Sequence, residues 1–189
     1  MKLKDLFLRY SNAGLLAAGV LIFFTGCVTV DAVHESPSRY GVGVSAAPGL
    51  QIGESSTSVH GIVGYSHIPF KGGGGSNNIF RIGAQMRFGL SENAPEGFWV
   101  GGELAYLNFR NKYSGSSIKQ TAPAFTLGGL AGYRFKAGKV PMSFYFAPAY
   151  LKRGKFKTNG TTAGTGGSGY YARLGLDIHL FSLMHKKGR

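Results

Sequence analysis

The sequence predicts an all-β chain, an eight-stranded antiparallel up-and-down barrel that crosses a membrane. Three observations carry this expectation. Between residues 39 and 181, apolar and polar residues alternate at period two in run after run, the pattern of strands with two unlike faces. The runs are long: at about 3.3 Å per residue and a tilt near 40°, a dozen residues climb roughly 30 Å, the apolar thickness of a bilayer, whereas strands of soluble sheets average about 5–6 residues. The charges inside the runs also keep to one phase, beside glycines and other small residues. With 31 glycines, 13% aromatics and only 15% charged residues, the composition suits a thin β wall better than a soluble enzyme.

The first element is a leader. "MKLKDLFLRYSN" sets Lys2, Lys4 and Arg9 against Asp5, and the uncharged stretch 13–24 has signal-peptide length and falls short of a comfortable helical span. "FTGC" follows, with the only cysteine at position 27, and resembles the bacterial lipobox. The expectation is a lipoprotein-type signal peptide over 1–26 and acylation of Cys27 with palmitate-like chains. An ordinary signal peptide and a retained anchor helix are the alternatives. Removing residues 1–26 takes away three bases and one acid and lowers the formal net charge from +13 to +11. In an exported chain that surplus favours lipid headgroups and lipopolysaccharide phosphates over nucleic acid.

Residues 27–38 are expected to form the lipidated N-terminus and a short first strand or linker, 39–181 the barrel, and 182–189 a basic tail. Seven clear runs occupy 39–47, 57–68, 79–89, 98–109, 122–135, 140–153 and 170–181. Bacterial barrels close with an even number of strands, so "VTVDAVH" (28–34) becomes the eighth. The short breaks "GESS", "SENAPEG" and "KAGK" then fall at one end. "KGGGGSNN", "NKYSGSSIKQ" and "KFKTNGTTAGTGGSG" fall at the other, the outer one. Pro148 lies inside a run and predicts a bulge, because a closed barrel has no edge to host proline.

The phase decides the protein class. Phe80, Ile82, Ala84, Met86 and Phe88 alternate with Arg81, Gln85 and Arg87, and Leu104 opposes Glu103. Phe125, Leu127 and Tyr133 oppose Arg134, and Leu174, Leu176 and Ile178 oppose Arg173 and Asp177. Facing an arginine to mid-bilayer costs about 2–4 kcal/mol. Arg81, Gln85, Arg87, Glu103, Arg134, Arg173 and Asp177 are therefore expected to form a polar network inside a narrow lumen, with the apolar phase in lipid.

The last run also carries a motif. Polar-x-Gly-x-x-apolar-x-apolar is filled by Arg173, Gly175, Ile178 and Leu180. With it, the chain resembles the small outer-membrane barrels of the OmpA/OmpX type over roughly 28–181, although it continues past Phe181 with "SLMHKKGR". The resemblance implies the outer membrane of a Gram-negative bacterium, a role for Arg173, Gly175, Ile178 and Leu180 as the signal read by the barrel-assembly machinery, and a single closed barrel as the working unit.

No catalytic, cofactor-binding or metal-binding set is expected. The histidines His34, His60, His67, His179 and His185 lack ligand spacing. Ser66 and His67 are adjacent on a strand, so they point to opposite faces. Lys152, Arg153, Lys155 and Lys157 are candidates for lipopolysaccharide phosphates, or for a solvated strand end. The expected role is structural or surface-interactive, with lipopolysaccharide association. The alternatives are a lipocalin-like periplasmic lipid binder, whose apolar phase would face inward, and a barrel enzyme acting on lipid A.

Overall fold

The structure, a computed structural model, describes residues 27–35, 39–52, 56–90 and 96–179. Eight strands form one closed antiparallel barrel: β1 (Cys27–Glu35), β2 (Arg39–Ala47), β3 (Thr57–Pro69), β4 (Gly75–Gly89), β5 (Gly97–Tyr113), β6 (Lys119–Ala137), β7 (Val140–Arg153) and β8 (Gly167–His179). Each strand pairs with the next, and β8 returns to β1 in a full ladder from Cys27↔His179 to Glu35↔Tyr171. The segment 28–34 thus serves as a complete stave, lengthened to Cys27–Glu35. After Pro48, Gly49–Gln51 continues the line of β2 against β3, and Lys157–Thr158 pairs with Thr161–Thr162 above β6 and β7.

Register fixes the geometry of the cylinder. Stepping between paired residues from Val28 through Ala46, Val63, Ile82, Tyr106, Phe125 and Lys152 to Ser168 ends about ten residues further along the line of β1. That stagger in an eight-stranded barrel corresponds to a tilt of about 40° and an interior just wide enough for side chains.

Several strands outrun the apolar pattern. β4 starts at Gly75 rather than 79, β5 runs to Tyr113 rather than 109, β6 starts at Lys119 and β8 at Gly167. All four extensions lie at one end, here called the loop rim. Hydrophobic alternation stops where lipid stops, whereas backbone pairing continues into the polar residues Ser76–Asn78, Arg110–Lys112 and Lys119–Thr121. The opposite end holds Cys27 and His179 and is the terminal rim.

No bulge forms at Pro148. Gly128↔Ala149 and Ala131↔Phe146 keep equal three-residue steps on both strands, and only the rungs between them lapse. On its other side Pro148 stays paired with Ala172. The proline lacks an N–H toward β6 alone, so the ladder loses rungs without changing register.

The wall is apolar outside. Val42, Ile82, Leu104, Leu127, Phe146 and Leu174 are exposed on it, and Phe98–Tyr133, Tyr106–Phe125 and Phe135–Phe144 are ring pairs along it. Inside, two layers differ. The loop-side half is a greasy plug of Val33, Ile68, Ile79, Leu107, Phe109, Leu151 and Tyr171, with Phe156 folded against it. The terminal half is charged. A lumen polar throughout, as the sequence suggests, is therefore corrected: Leu107 and Phe109 share the inward phase of Glu103 and fill the loop-side half with apolar side chains.

Candidate functional site

The lumen network begins on β1, where alternation sends Thr29 and Asp31 inward. Asp31 faces Arg81 at 3.4 Å, and Arg81 also donates to Ser45 Oγ at 3.0 Å. Tyr145 donates its hydroxyl to Asp31, and Arg173 donates to that hydroxyl at 2.9 Å. Arg173 pairs with Glu103, which accepts from Gln85 at 2.5 Å. Gln85 accepts two bonds from Arg87, at 3.0 and 2.7 Å, and Arg87 reaches Asp177 at 2.8 Å. Asp177 also accepts from Thr29 at 2.5 Å. Six of the seven expected residues therefore lie in one continuous chain of bonds spanning β1, β2, β4, β5, β7 and β8.

Arg134 is the exception. It lies on the inward phase, opposite Ser143, but joins no ion pair among the described residues, and its Nε is buried without a partner. β6 supplies no carboxylate to meet it.

The sequence reading missed Asp31, Glu35, Tyr145 and Trp99. Arg87 stacks over the Trp99 indole at 4.6 Å, and Glu35 receives Arg153 while Asn77 donates to it at 3.0 Å. Arg153 therefore leaves the outward basic group proposed for it and turns into the mouth, stacked over Phe109 at 4.6 Å. The adjacent aromatics Phe98 and Trp99 carried a usable signal, since neighbours on a strand face opposite ways and one of them must be inside.

Four guanidiniums, of Arg81, Arg87, Arg153 and Arg173, thus meet four carboxylates, of Asp31, Glu35, Glu103 and Asp177. The four pairs are neutral in sum, three of them are enclosed and Arg153 is partly exposed at the mouth, so they brace the wall, with Arg134 left as an inward guanidinium that meets no acid among the described residues. Two serine–histidine contacts near the terminal rim, Ser143–His179 at 2.7 Å and Ser58–His60 at 2.9 Å, also belong to the interior. Ser143 is fully enclosed, so its hydroxyl has no approach for a lipid ester. Among the described residues, no cluster of three or more His, Cys, Asp or Glu is placed to hold a metal ion.

The motif of β8 divides by face. Arg173 and Gly175 point inward, Ile178 lies between Val28 and Met142, and Leu180 lies outside the described residues. Gly175 is required by its neighbours, because a Cβ there would overlap the Tyr145 ring and come 2.6 Å from Asp31 Oδ1. Gly132 is held likewise under Trp99, 2.5 Å from where its Cβ would sit.

Cys27 opens β1 with its side chain inside, 1% exposed, and its thiol 3.8 Å from the Ala47 carbonyl. Acylation of this sulfur requires the first rungs to Ala47 and His179 to open. The segments expected to be the leader (1–26) and the basic tail (182–189) lie outside the described residues.

The loop rim is the second candidate. Its outward-facing charges are Arg39, Lys71, Arg110, Lys112, Lys119, Lys152, Lys155 and Lys157, and its connections contain no Asp or Glu. On the wall, Asn78, Arg110, Thr121 and Lys157 are successive cross-strand partners, and Lys112 sits directly opposite Lys119.

An apolar wall around a braced, side-chain-filled lumen defines a small transmembrane β-barrel. The lipocalin-like alternative fails on this point, since Leu104, Leu127 and Leu174 face outward and ion pairs occupy the inside. Among solved structures, the chain is similar to Neisserial surface protein A, with a TM-score of 0.52 and 18% identity over 82% of this chain and 97% of that one. It also aligns with the N-terminal β-barrel domain of Pseudomonas aeruginosa OprF, with a TM-score of 0.43 and 19% identity over 81% of this chain and 98% of that one. No protein-family profile and no curated protein sequence matches the chain.

Proposed function

We propose that this chain is an outer-membrane barrel of a Gram-negative bacterium, with a structural and surface-interaction role exercised through lipopolysaccharide at its loop rim. One observation carries the reading, the separation of charge. Acids of the barrel staves pair inside, while the outer collar is cationic with no carboxylate among its connections. A cationic collar above an apolar wall suits a leaflet whose headgroups carry phosphate. The fold shared with Neisserial surface protein A supports the membrane placement. The brace leaves the lumen a scaffold, so the role rests on the surface, and no catalytic step is assigned.

The test is membrane fractionation with carbonate washing, combined with gel mobility before and after boiling. The expected result is a wash-resistant protein whose mobility shifts on heating, recovered with the lipopolysaccharide-containing fraction. A washable protein without a mobility shift overturns the reading.

A further inference from the structure

We infer that the wall face of β4, β5 and β6 just below the loop rim is a binding site for the phosphate of a phosphorylated glycolipid in the outer leaflet, built by Asn78, Arg110, Lys112, Lys119 and Lys157. The inference deepens the function proposed above and rests on it.

Lys112 and Lys119 are direct cross-strand partners, and like charges so placed destabilise a sheet. Arg110 is two residues from Lys112 on the same face, and Thr121 carries the row across to Lys157. All four cations are exposed, and none has an acidic partner among the described residues. In the lumen, four guanidiniums meet acids that the chain supplies itself. Here it supplies none, and the counter-charge must come from outside.

Asn78 points to the same ligand. It sits on the outward phase beside Arg110 yet is nearly buried, because Tyr65 donates to its Oδ1 at 2.6 Å and His67 Nδ1 bonds the same oxygen at 2.9 Å. Both bonds fall on the carbonyl oxygen, so the amide N–H groups remain as donors for an oxyanion. Below this row the wall turns apolar at Phe80, Tyr106 and Phe125. Acyl chains lying on that wall bring their phosphate to the cations. A free phosphate has no use for the apolar part, which favours the lipid as its source.

The experiment uses the full chain, leader removed, folded in neutral detergent, with bound lipid counted by native mass spectrometry. The probes are bisphosphoryl lipid A, dephosphorylated lipid A and inorganic phosphate as competitor. The wild type is expected to retain bisphosphoryl lipid A, to hold the dephosphorylated form at least tenfold more weakly and to resist millimolar phosphate. Arg110→Ser with Lys119→Ser lowers retention about tenfold, whereas Lys152→Ser with Lys155→Ser leaves it within twofold. Lys112→Glu places a carboxylate opposite Lys119, and it is expected to raise the unfolding temperature of the lipid-free barrel while weakening lipid A. A variant that merely misfolded would lose both. Equal retention by wild type and Arg110→Ser/Lys119→Ser, with loss in Lys152→Ser/Lys155→Ser, overturns this site and leaves the collar. Failure of the wild type to bind lipid A overturns the lipopolysaccharide reading itself.

Discussion

Arg87 and Asp177 face each other at 2.8 Å across the lumen, on strands that are not neighbours, with the guanidinium resting on Trp99. Their exposures are 2% and 0%. The pair ties β4 to β8 through the inside of the cylinder, as Arg173–Glu103 ties β8 to β5. Such bonds resist ovalisation of the wall, which ladder hydrogen bonds alone permit.

Breaking that pair strands a charge where neither water nor lipid can reach it. Asp177→Asn and Arg87→Met are each expected to cost about 3–5 kcal/mol, the usual cost of leaving one buried ion unpaired. The double variant should recover more than half of the summed loss, because no orphan charge remains. Urea unfolding in lipid vesicles measures this. A strictly additive pair of losses would show that the two residues act separately.

Orientation in the bilayer is tested on the other face. Leu127 is 66% exposed and lies opposite Leu104 near mid-wall. Leu127→Arg should cost about 2–4 kcal/mol in vesicles, and Tyr170→Arg, near the loop rim, about 0–1 kcal/mol. On a water-facing wall both changes would stay within about 0.5 kcal/mol, so depth dependence is the deciding observation.

The sheet phase was legible because lipid enforces it: one arginine on the wrong face is costly, so Arg81, Arg87 and Arg173 announce the lumen side by their alternation alone. Their partners were harder to find. Asp31 lies in a segment too short and too near the cysteine to read as a full stave. Tyr145 lies among Phe144, Phe146 and Tyr150, where an inward tyrosine looks like one more wall aromatic. Which acid meets which base depends on the stagger of the barrel, set by register around all eight strands and absent from any one of them. The basic wall site was hidden for the same reason. Lys112 and Lys119 look like loop residues in sequence and become partners only when β5 and β6 outrun the apolar pattern.

Gly175 separates a folding requirement from an assembly signal. A Cβ there strikes the Tyr145 ring, so Gly175→Ala is expected to lose about 1–3 kcal/mol through overpacking. Adding Tyr145→Leu should return part of it by clearing the space. The measurement is refolding of purified protein into vesicles with no cellular machinery present. If Gly175→Ala refolds there with wild-type stability and yet fails to reach the membrane in cells, the glycine serves recognition instead.

Cys27 sets the last test. In the closed barrel its sulfur is inside, beside the Ala47 carbonyl and between the ladders to β2 and β8. A maleimide should therefore label the folded, leader-free chain slowly and label it fully once urea opens the wall. Cys27→Ala should fold at nearly wild-type stability, since the small residue keeps both ladders. Acyl labelling gives the contrary outcome. Palmitate incorporation lost in Cys27→Ala would mean that the sulfur leaves the lumen, that the first rungs of β1 stay open in the mature protein, and that the barrel seam begins at Thr29.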